Sequence, residues 1–522
     1  MGVPGKLLLL LHAHLPFVRH PDHDRFLEEN WLFEAISETY LPLVQVLFRL
    51  LEKGVPGTVN LSFSSSLLEM LTDPLLIERY SKHLHKQLAL IEKELVRFQD
   101  DAEKMTVIRF YYNRQKALIH TWEEGCKKDL IASFKLLEKS GILTTLTCVG
   151  THPFLPAYQS DTDAIRLQLA VTVKCYENAF GKKPKGLWLP ECGYFEGLDY
   201  VLAEFGFEYF FLETHGVLLA DPAPKYGVFA PIKTPAGLYC MGREQVSSVE
   251  VWSRKSGYPG HPEYREFFRD IAFEREREYL GEYFFAGDAP IETGLKYHRI
   301  TGGEQKLIYR PWNAMRLVEN HARLFIANRE ATFSDLIPHI EGHSASILCP
   351  YDAELFGHWW FEGPLFIESL FEHAAGSPLL ELASLELVMH SSSDLGTHKP
   401  IFSSWGEGGF SSVWMNDAVQ DAYPRFFKMR SLWNHLRSLK QTKWLQRLVA
   451  QMAREILLFQ ASDWAFMIHN NSAEGYAKSR LAEHYDNALQ LYDLALSKNP
   501  DKEVLEKMEK KNNLFPWLGE LL

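Results

Sequence analysis

The sequence has few cysteines and no long apolar run, and both absences narrow the protein class. Its six cysteines are far apart and none forms a CxxC pair, which predicts free thiols in a reducing compartment and argues against a disulfide scaffold or a structural zinc site. No stretch approaches the roughly 20 apolar residues of a membrane span. The five leucines before His12 are also too short for a signal-peptide core. We therefore expect a cytoplasmic protein with no membrane partner.

Positive charge is also scarce. Lys and Arg number 55 against 67 Asp and Glu, which gives a formal net charge of -12 at pH 7. Because nucleic-acid binding depends on clustered Lys and Arg, this balance argues against a nucleic-acid partner, whereas a neutral polymer meets no such penalty. A hydrophobic content of 46% over 522 residues supports a large core, and the aromatic content of 13% is high. A chain of this length predicts two or three structural parts.

Short apolar runs alternate with long helical stretches, which is the pattern of a parallel α/β architecture. The candidate strands are Lys6–Leu11, Thr58–Phe63, Leu143–Val149, Gly186–Leu189, Tyr209–Glu213, Ser346–Cys349 and Leu380–Val388. Gly and Pro interrupt the chain from about residue 230 to 300, which predicts an inserted loop-rich part. After Ser404 the pattern is helical to the end.

Histidines and carboxylates follow several of these strands, where α/β proteins hold their catalytic groups. His12 and His14 are two positions apart, so both side chains point to one face. Such a pair could bind a metal with further ligands, bind sugar hydroxyls, or be two satisfied histidines. His152 follows the third strand, and Glu191 follows the fourth in a Pro-Glu-Cys-Gly turn that would present the carboxylate to a pocket.

The segment Cys349–Pro364 concentrates carboxylates, a histidine and three adjacent aromatic residues. Aromatic faces beside carboxylates suit sugars, although a solvated acidic turn over an aromatic core would look similar. Cleavage of a glycosidic bond needs two carboxyl groups, which Glu191 and Asp352 could supply. Spacing alone does not choose between Asp352 and Glu354, because both would point the same way on an extended segment.

Four segments resemble, in order and spacing, the motifs of glycoside hydrolase family 57, and in particular its branching enzymes and AmyC-type proteins. These segments are His12–Pro16, Thr151–Pro153, Trp188–Gly193 and Tyr351–Trp359. The resemblance covers essentially the whole chain. It implies an incomplete (β/α)7 barrel over residues 1–230 and 301–400, an inserted subdomain over 231–300 and an all-α carboxyl-terminal domain over 401–522.

The resemblance also implies residue roles. Glu191 would be the nucleophile and Asp352 the acid/base of a retaining mechanism without metal or cofactor, with the two carboxyls about 5–5.5 Å apart. The implied substrate contacts are His12, His14, His152, Trp359, Trp360, Trp405 and Asp463, together with Arg265 and Tyr239 from the inserted region. Tyr239 is the only tyrosine in 235–251, where branching enzymes of this family would carry a mobile loop over the site. Ser472 stands where related enzymes tend to carry glutamine, so it would reach less far toward a glucan.

The implied function is a 1,4-α-glucan branching enzyme, a transferase that cleaves α-1,4 bonds and forms α-1,6 branches in glycogen biosynthesis. Its partner would be an α-1,4-glucan, and the chain would act as a monomer or dimer. An α-amylase or 4-α-glucanotransferase of the same family is the alternative. A metal-dependent deacetylase-like hydrolase is a more distant one, and a non-catalytic glucan-binding protein would not need both carboxylates.

Overall fold

The computed structural model describes residues 4–253, 256–340, 344–391 and 396–522. Its strands are β1 (Gly5–Ala13), β2 (Val59–Ser64), β3 (Leu143–Cys148), β4 (Gly186–Trp188), β5 (Tyr209–Leu212), β6 (Ile232–Lys233), β7 (Tyr239–Gly242), β8 (Phe285–Ala286), β9 (Ala289–Pro290), β10 (Ser346–Asp352) and β11 (Leu380–Leu382).

The α-helices of the first half are α1 (Glu29–Glu34), α2 (Leu41–Glu52), α3 (Ser65–Thr72), α4 (Pro74–Arg97), α5 (Ala102–His120), α6 (Leu130–Ser140), α7 (Thr162–Phe180), α8 (Leu198–Glu204), α9 (Thr214–Leu218) and α10 (Gln245–Trp252). Those that follow are α11 (Arg277–Leu280), α12 (Pro311–Leu336), α13 (Gly363–Ala375), α14 (Leu385–Ser391), α15 (Ala422–Ser438), α16 (Lys443–Phe459), α17 (Ser462–His469), α18 (Glu474–Leu496) and α19 (Lys502–Lys511). A π-helical segment, Ala35–Tyr40, joins α1 to α2.

A curled sheet forms the centre of the molecule. Its strand order is β10-β1-β2-β3-β4-β5-β7-β6, and the first seven strands in this order pair in parallel. β6 is antiparallel to β7, and β11 pairs with the start of β1. Between β7 and β10 the described residues form no ladder, but the Glu244 amide donates to the Leu348 carbonyl at 3.0 Å. The fold is therefore the predicted incomplete (β/α)7 barrel.

Six of the predicted strands are present, and the seventh parallel strand differs from the prediction. Residues 380–388 form only the short β11 and the start of α14, whereas β7 completes the parallel set. β7 is four residues long and lies among Pro235, Gly237 and Gly242, so its sequence looks like a loop. Gly242 is required because a Cβ there would lie 2.7 Å from Val228.

The sheet also extends past the predicted domain boundary at residue 230, because β6 and β7 both belong to it. The rest of the inserted region is irregular, as expected, and contains the short α11 and the β8–β9 hairpin. It packs against helices of the barrel: the Tyr111 hydroxyl donates to the Lys296 carbonyl at 2.8 Å, and the Gln87 side chain donates to the Thr293 carbonyl at 2.8 Å.

Helices α15 to α19 form the carboxyl-terminal region, and they share one hydrophobic core with the barrel. Phe426, Leu448 and Leu491 of this region belong to the same buried cluster as Leu9 of β1. A parallel sheet covered by helices buries its strands on both faces, which explains the leucine run of β1. None of the described helices is both long and apolar enough to cross a membrane.

Candidate active site

A cavity of about 580 Å³ lies at the carboxyl ends of the central strands. Its volume is within the usual range for small-ligand sites. Its lining includes eight of the predicted site residues: His12, His14, His152, Glu191, Asp352, Trp359, Trp405 and Asp463. We call it the catalytic cavity. The barrel, the inserted region and α17 all contribute to its wall.

Glu191 lies in a tight turn after β4 that directs its side chain into the cavity. Glu191 and Cys192 both have positive φ values, 59° and 49°, which are uncommon for residues other than glycine. Backbone hydrogen bonds hold the turn: the Cys192 amide donates to the Leu189 carbonyl at 2.8 Å, and the Trp405 amide donates to the Glu191 carbonyl at 2.7 Å. Such strained conformations cluster at functional sites, where the surrounding structure enforces them.

Glu191 and Asp352 both have raised pKa values because they are buried. Burial raises the pKa of Glu191 to about 8 and that of Asp352 to about 6. A hydrogen bond from Ser462 opposes the rise in the pKa of Glu191, and the charges of His14 and Arg243 oppose it for Asp352. From about pH 6 to about 8 the two carboxyls together hold one proton. A site with one carboxylate and one carboxylic acid can combine a nucleophile with a general acid.

A chain of hydrogen bonds leads through two histidines to Glu191. His12 contacts Ser62 Oγ through Nδ1 at 3.4 Å and His152 Nε2 through Nε2 at 3.0 Å. His152 Nδ1 lies 2.8 Å from Ser462 Oγ, which donates to Glu191 Oε1 at 2.8 Å. Since the Ser462 hydroxyl has one proton, His152 must donate to it through Nδ1–H, and Nε2 of His152 must accept from His12. Both imidazoles are then neutral, and burial lowers the pKa of each well below its ordinary value.

His14 connects two acidic residues on opposite sides of the cavity. Its Nδ1 lies 2.8 Å from Ser64 Oγ, and its Nε2 lies 3.1 Å from the Asp463 carboxylate. Its backbone amide donates to Glu354 Oε1 at 3.2 Å, and the Tyr40 hydroxyl donates to the same oxygen. Burial raises the pKa of Glu354 to about 8, so this side chain is mainly a neutral acid at pH 7.

Two groups of side chains have enough ligand atoms for a metal ion, but their geometry favours hydrogen bonding. The ligand atoms of His14, His152 and Asp463 lie within 4.8 Å of one another, as do those of His12, Cys148 and His152. The rings of His14 and His152 are stacked, with centroids 3.8 Å apart and 9° between their planes. Nitrogen lone pairs lie in the ring plane, so those of two parallel stacked rings do not converge on one ion. In the second group the two imidazole nitrogens already face each other across a hydrogen bond.

Two sequence profiles match the chain. The profile described as glycosyl hydrolase family 57 matches residues 8–334, which is more than half of the chain. The chain belongs to glycosyl hydrolase family 57. The profile described as 1,4-alpha-glucan branching enzyme, C-terminal, matches residues 427–520.

Three proteins of known identity match nearly the whole chain. The 1,4-alpha-glucan branching enzyme TK1436 of Thermococcus kodakarensis is 31% identical over 98% of this chain and 77% of its own length. The crystal structure of the alpha-amylase AmyC from Thermotoga maritima is 38% identical, covers 98% of both chains and gives a TM-score of 0.90. That of the family 57 branching enzyme from Pyrococcus horikoshii is 30% identical, covers 98% of this chain and 96% of its own, and gives 0.88. This family 57 chain is therefore an enzyme with the fold of these proteins.

The histidines of this family 57 site are hydrogen-bonded to protein groups at both ring nitrogens. His12 contacts Ser62 and His152, and His14 contacts Ser64 and Asp463. A sugar hydroxyl could bind these nitrogens only by replacing one of these partners. For the histidines to bind sugar hydroxyls as predicted, they would have to exchange a hydrogen bond to the protein for one to the sugar. In this structure the histidines hold other side chains in place.

Of the predicted aromatic residues, two line the cavity and one lies beneath it. Trp359 is 54% exposed and stacks on Phe267, with ring centroids 4.4 Å apart. Trp405 meets Trp188 edge-on at 5.5 Å and forms part of the wall. Trp360 is 1% exposed and packs in the core against Tyr264 and Phe366.

Arg265 and Tyr239 also lie away from the cavity wall. Arg265 is buried and pairs with Glu38 at 3.0 Å while its guanidinium packs 3.9 Å from the centroid of the Phe361 ring. It braces the π-helical segment that carries Glu38. Tyr239 was expected at the tip of a mobile loop, but it begins strand β7 and pairs with Lys233 of β6. The segment 235–251 consists of a turn, β7 and most of α10, so no tyrosine in it covers the cavity.

The sequence reasoning missed several residues of the site. Ser462 contacts the predicted nucleophile directly, yet the family resemblance pointed only to its neighbour Asp463. The charge of Arg243 opposes the rise that burial causes in the pKa of Asp352. Its guanidinium packs over Trp405, with 4.7 Å from the guanidinium carbon to the ring centroid. Trp252 lines the cavity at the end of α10. Neither the position of Ser462 in a Ser-Asp-Trp segment nor that of Arg243 after a short strand marks the residue as part of a site, so residue spacing could not have identified them.

Proposed function

We propose that this chain is a retaining 1,4-α-glucan branching enzyme with Glu191 as nucleophile and Asp352 as acid/base. One observation carries the proposal. Helix α17 lies inside the match to the branching-enzyme carboxyl-terminal profile, and it brings Ser462 and Asp463 into the catalytic cavity beside Glu191. The carboxyl-terminal region therefore forms part of the reaction site.

In the first step, the Glu191 carboxylate attacks the anomeric carbon of a bound α-1,4-glucan and forms a glycosyl ester. The bond from this carbon to the leaving oxygen breaks, and Asp352 gives its proton to that oxygen. The reactive form of the pair is the one with the proton on Asp352; it is the minor form, because the pKa of Asp352, about 6, is below that of Glu191, about 8. The Ser462 hydroxyl favours this form, because its hydrogen bond at 2.8 Å stabilises Glu191 as an anion.

In the second step, Asp352 removes the proton from a 6-hydroxyl of an acceptor glucan, and that oxygen displaces Glu191 from the anomeric carbon. An α-1,6 branch forms, and both carboxyls return to their starting states. We propose that His14 and Asp463 exchange their mutual hydrogen bond for bonds to hydroxyls of the sugar in the cavity. Trp359, exposed and stacked on Phe267, would pack on a glucose ring at the rim.

Hydrolysis is the second candidate outcome at the same site, and two observations favour it. AmyC, which is described as an alpha-amylase, is 38% identical to this chain with a TM-score of 0.90. In addition, Tyr239 lies in β7 and does not cover the cavity. Water that reaches the glycosyl ester would release a sugar instead of making a branch, so access of water to Glu191 decides between the two outcomes.

Incubation with amylose tests the proposal. We expect α-1,6 linkages in the proton NMR spectrum, with few new reducing ends per branch. Glu191→Gln and Asp352→Asn should each abolish both signals, because each removes one of the two groups that the mechanism requires. Reducing ends without α-1,6 linkages would contradict branching and favour amylase activity. Chain redistribution without branch points would instead indicate a 4-α-glucanotransferase.

We further propose that the chain works in glycogen biosynthesis in the cytoplasm, as a monomer or dimer. Its six cysteines are all buried and unpaired, which suits a reducing compartment. Size-exclusion chromatography with light scattering would determine the oligomeric state.

A further inference from the structure

A second cavity of about 360 Å³ lies beside the catalytic cavity, and we call it the side cavity. Its wall comes from the segment before α1, from α1 and α4, and from the inserted region. Polar and apolar side chains alternate around it. The lining residues on which the argument rests are Arg25, Asn30, Phe33, His83, Lys86 and Ile291.

One lysine of the side cavity has no ion-pair partner among the described residues. Lys86 makes no ion pair with any described residue, and its ammonium lies 4.4 Å from the centroid of the Tyr283 ring. The guanidinium of Arg25 lies over the same ring at 5.1 Å, donates a hydrogen bond to the Glu282 carbonyl and lies 3.9 Å from the Glu282 carboxylate. Burial and the charges of Arg25 and Lys82 lower the pKa of Lys86. An anion between Lys86 and Arg25 would relieve this repulsion.

The other charged groups of the wall are largely matched to each other. Arg79 binds Glu29 at 2.7 Å, and Lys82 binds Glu78 at 2.6 Å. Asp24 lies at the exposed rim. Lys86 is therefore the lining cation that has no ion pair among the described residues, although the whole chain carries a formal charge of -12.

The side cavity also offers an unused polar group and an apolar surface. His83 is 8% exposed, and its Nε2 atom has no hydrogen-bond partner among the described residues. Phe33 and Ile291 supply apolar wall. A buried polar atom without a partner is costly, and a ligand hydroxyl would satisfy it. The wall thus combines an anion-binding end with groups that suit a small hydroxylated ring.

The two cavities share their walls. Ile291 faces the side cavity and its neighbour Glu292 faces the catalytic cavity. In α1, Asn30 lines the side cavity and donates at 2.5 Å to Glu34, which lines the catalytic cavity. A molecule in the side cavity would therefore contact both segments that separate it from the reaction site.

We propose that the side cavity binds a small sugar phosphate and that its occupancy changes the affinity of the catalytic cavity for glucan. The phosphate group lies between Lys86 and Arg25, and the sugar hydroxyls bind His83 and Asn30. The shared walls transmit the effect, and by linkage glucan changes the affinity for the sugar phosphate by the same factor.

Calorimetric titration of the full chain with glucose 6-phosphate tests the binding site without any glucan, and so does not depend on the proposed function. We expect saturable binding, with glucose and inorganic phosphate each at least about tenfold weaker. Lys86→Gln should weaken binding about ten- to hundredfold, because it removes a charge-assisted contact. Lys93→Gln is the matched control: it lies on the same helix over another tyrosine, Tyr279, at 4.5 Å, but outside the side cavity. This control should bind within twofold of the unaltered chain.

Absence of saturable binding, or equal binding by the Lys86→Gln variant, would overturn the site. If glucose binds as tightly as glucose 6-phosphate, the site is one for neutral sugars. If inorganic phosphate binds as tightly, the site is an unspecific anion site. Either result overturns the proposed ligand. For the coupling, maltoheptaose is titrated into Glu191→Gln with and without glucose 6-phosphate. A change of at least twofold in its affinity is expected, and an unchanged affinity would refute the coupling even if branching activity is absent.

Discussion

Replacement of Ser462 by alanine tests the hydrogen-bond chain that ends at Glu191. The Ser462 hydroxyl donates to Glu191 Oε1 at 2.8 Å and accepts from His152 Nδ1–H, also at 2.8 Å. Alanine removes both bonds but keeps the backbone bond from the Ser462 amide to the His152 carbonyl. The substitution therefore isolates the hydroxyl from the position of α17.

The expected loss follows from the charge that the hydroxyl stabilises. A hydrogen bond to a charged group contributes about 1.5–3 kcal/mol, and each 1.36 kcal/mol is a factor of ten in rate. We expect kcat to fall about 10- to 100-fold with a smaller change in KM, because the bond favours the reactive form of the carboxyl pair. The alkaline limb of the pH–rate profile, near pH 8, marks the loss of the one proton that the carboxyl pair holds, which is mainly on Glu191. Loss of the hydrogen bond raises the pKa of Glu191, so this limb should move to higher pH.

The assay is initial-rate branching of amylose across the pH range from about 4 to 10, with Ser462→Thr as the matched control. Threonine keeps a hydroxyl, so this variant should recover most of kcat and the original alkaline limb. A Ser462→Ala enzyme with kcat within twofold of the unaltered enzyme and an unmoved limb would refute the reasoning. Equal losses in both variants would mean that packing around α17, and not the hydroxyl, is important.

The remaining predictions concern Glu354, the Arg265–Glu38 pair and metal dependence. Glu354→Gln should keep activity within a fewfold at pH 7 because glutamine resembles the neutral acid and still accepts from Tyr40, whereas Glu354→Ala should lose about 1–3 kcal/mol of stability, measured by urea unfolding. Arg265→Met should cost about 3–5 kcal/mol in the same assay because it leaves Glu38 charged and buried. Arg265 and His358 hold the pKa of Glu38 well below its ordinary value against burial, so without Arg265 this pKa rises and the deficit should narrow at acidic pH as Glu38 binds a proton. A chelator should leave activity unchanged, and a loss that zinc restores would contradict the stacking argument.

The barrel was predictable where apolar runs were long and uninterrupted. β1 and β10 have such runs, and their burial on both faces explains why period-two alternation is absent from them. β7 was missed because four residues between breakers give no periodic signal, and it is a strand because it pairs with β5 and β6. Tertiary pairing, which a single sequence does not display, decided this element.

The carboxylates and histidines of the site were predictable because they follow strands directly, and strand ends of a parallel sheet converge. The orientation of the aromatic side chains could not be predicted in the same way. Trp359 and Trp360 are neighbours, yet one is half exposed at the rim and the other is buried in the core. Tyr239 was assigned to a loop on the family pattern alone, whereas the local pairing with β6 places it in the sheet. Family motifs identify which residues matter more reliably than they predict which way each one points.

The site also explains why the barrel and the carboxyl-terminal helices form one structural unit. Ser462 and Asp463 are adjacent in α17, and they reach the two separate hydrogen-bond systems, one through His152 to Glu191 and one through His14. A barrel without α17 would leave the Nδ1 atom of buried His152 unpaired and would remove the donor that opposes the rise in the pKa of Glu191. The hydrophobic core that α15, α16 and α18 share with the barrel therefore does more than stabilise the chain. It fixes the position of two side chains on which the ionisation of Glu191 depends.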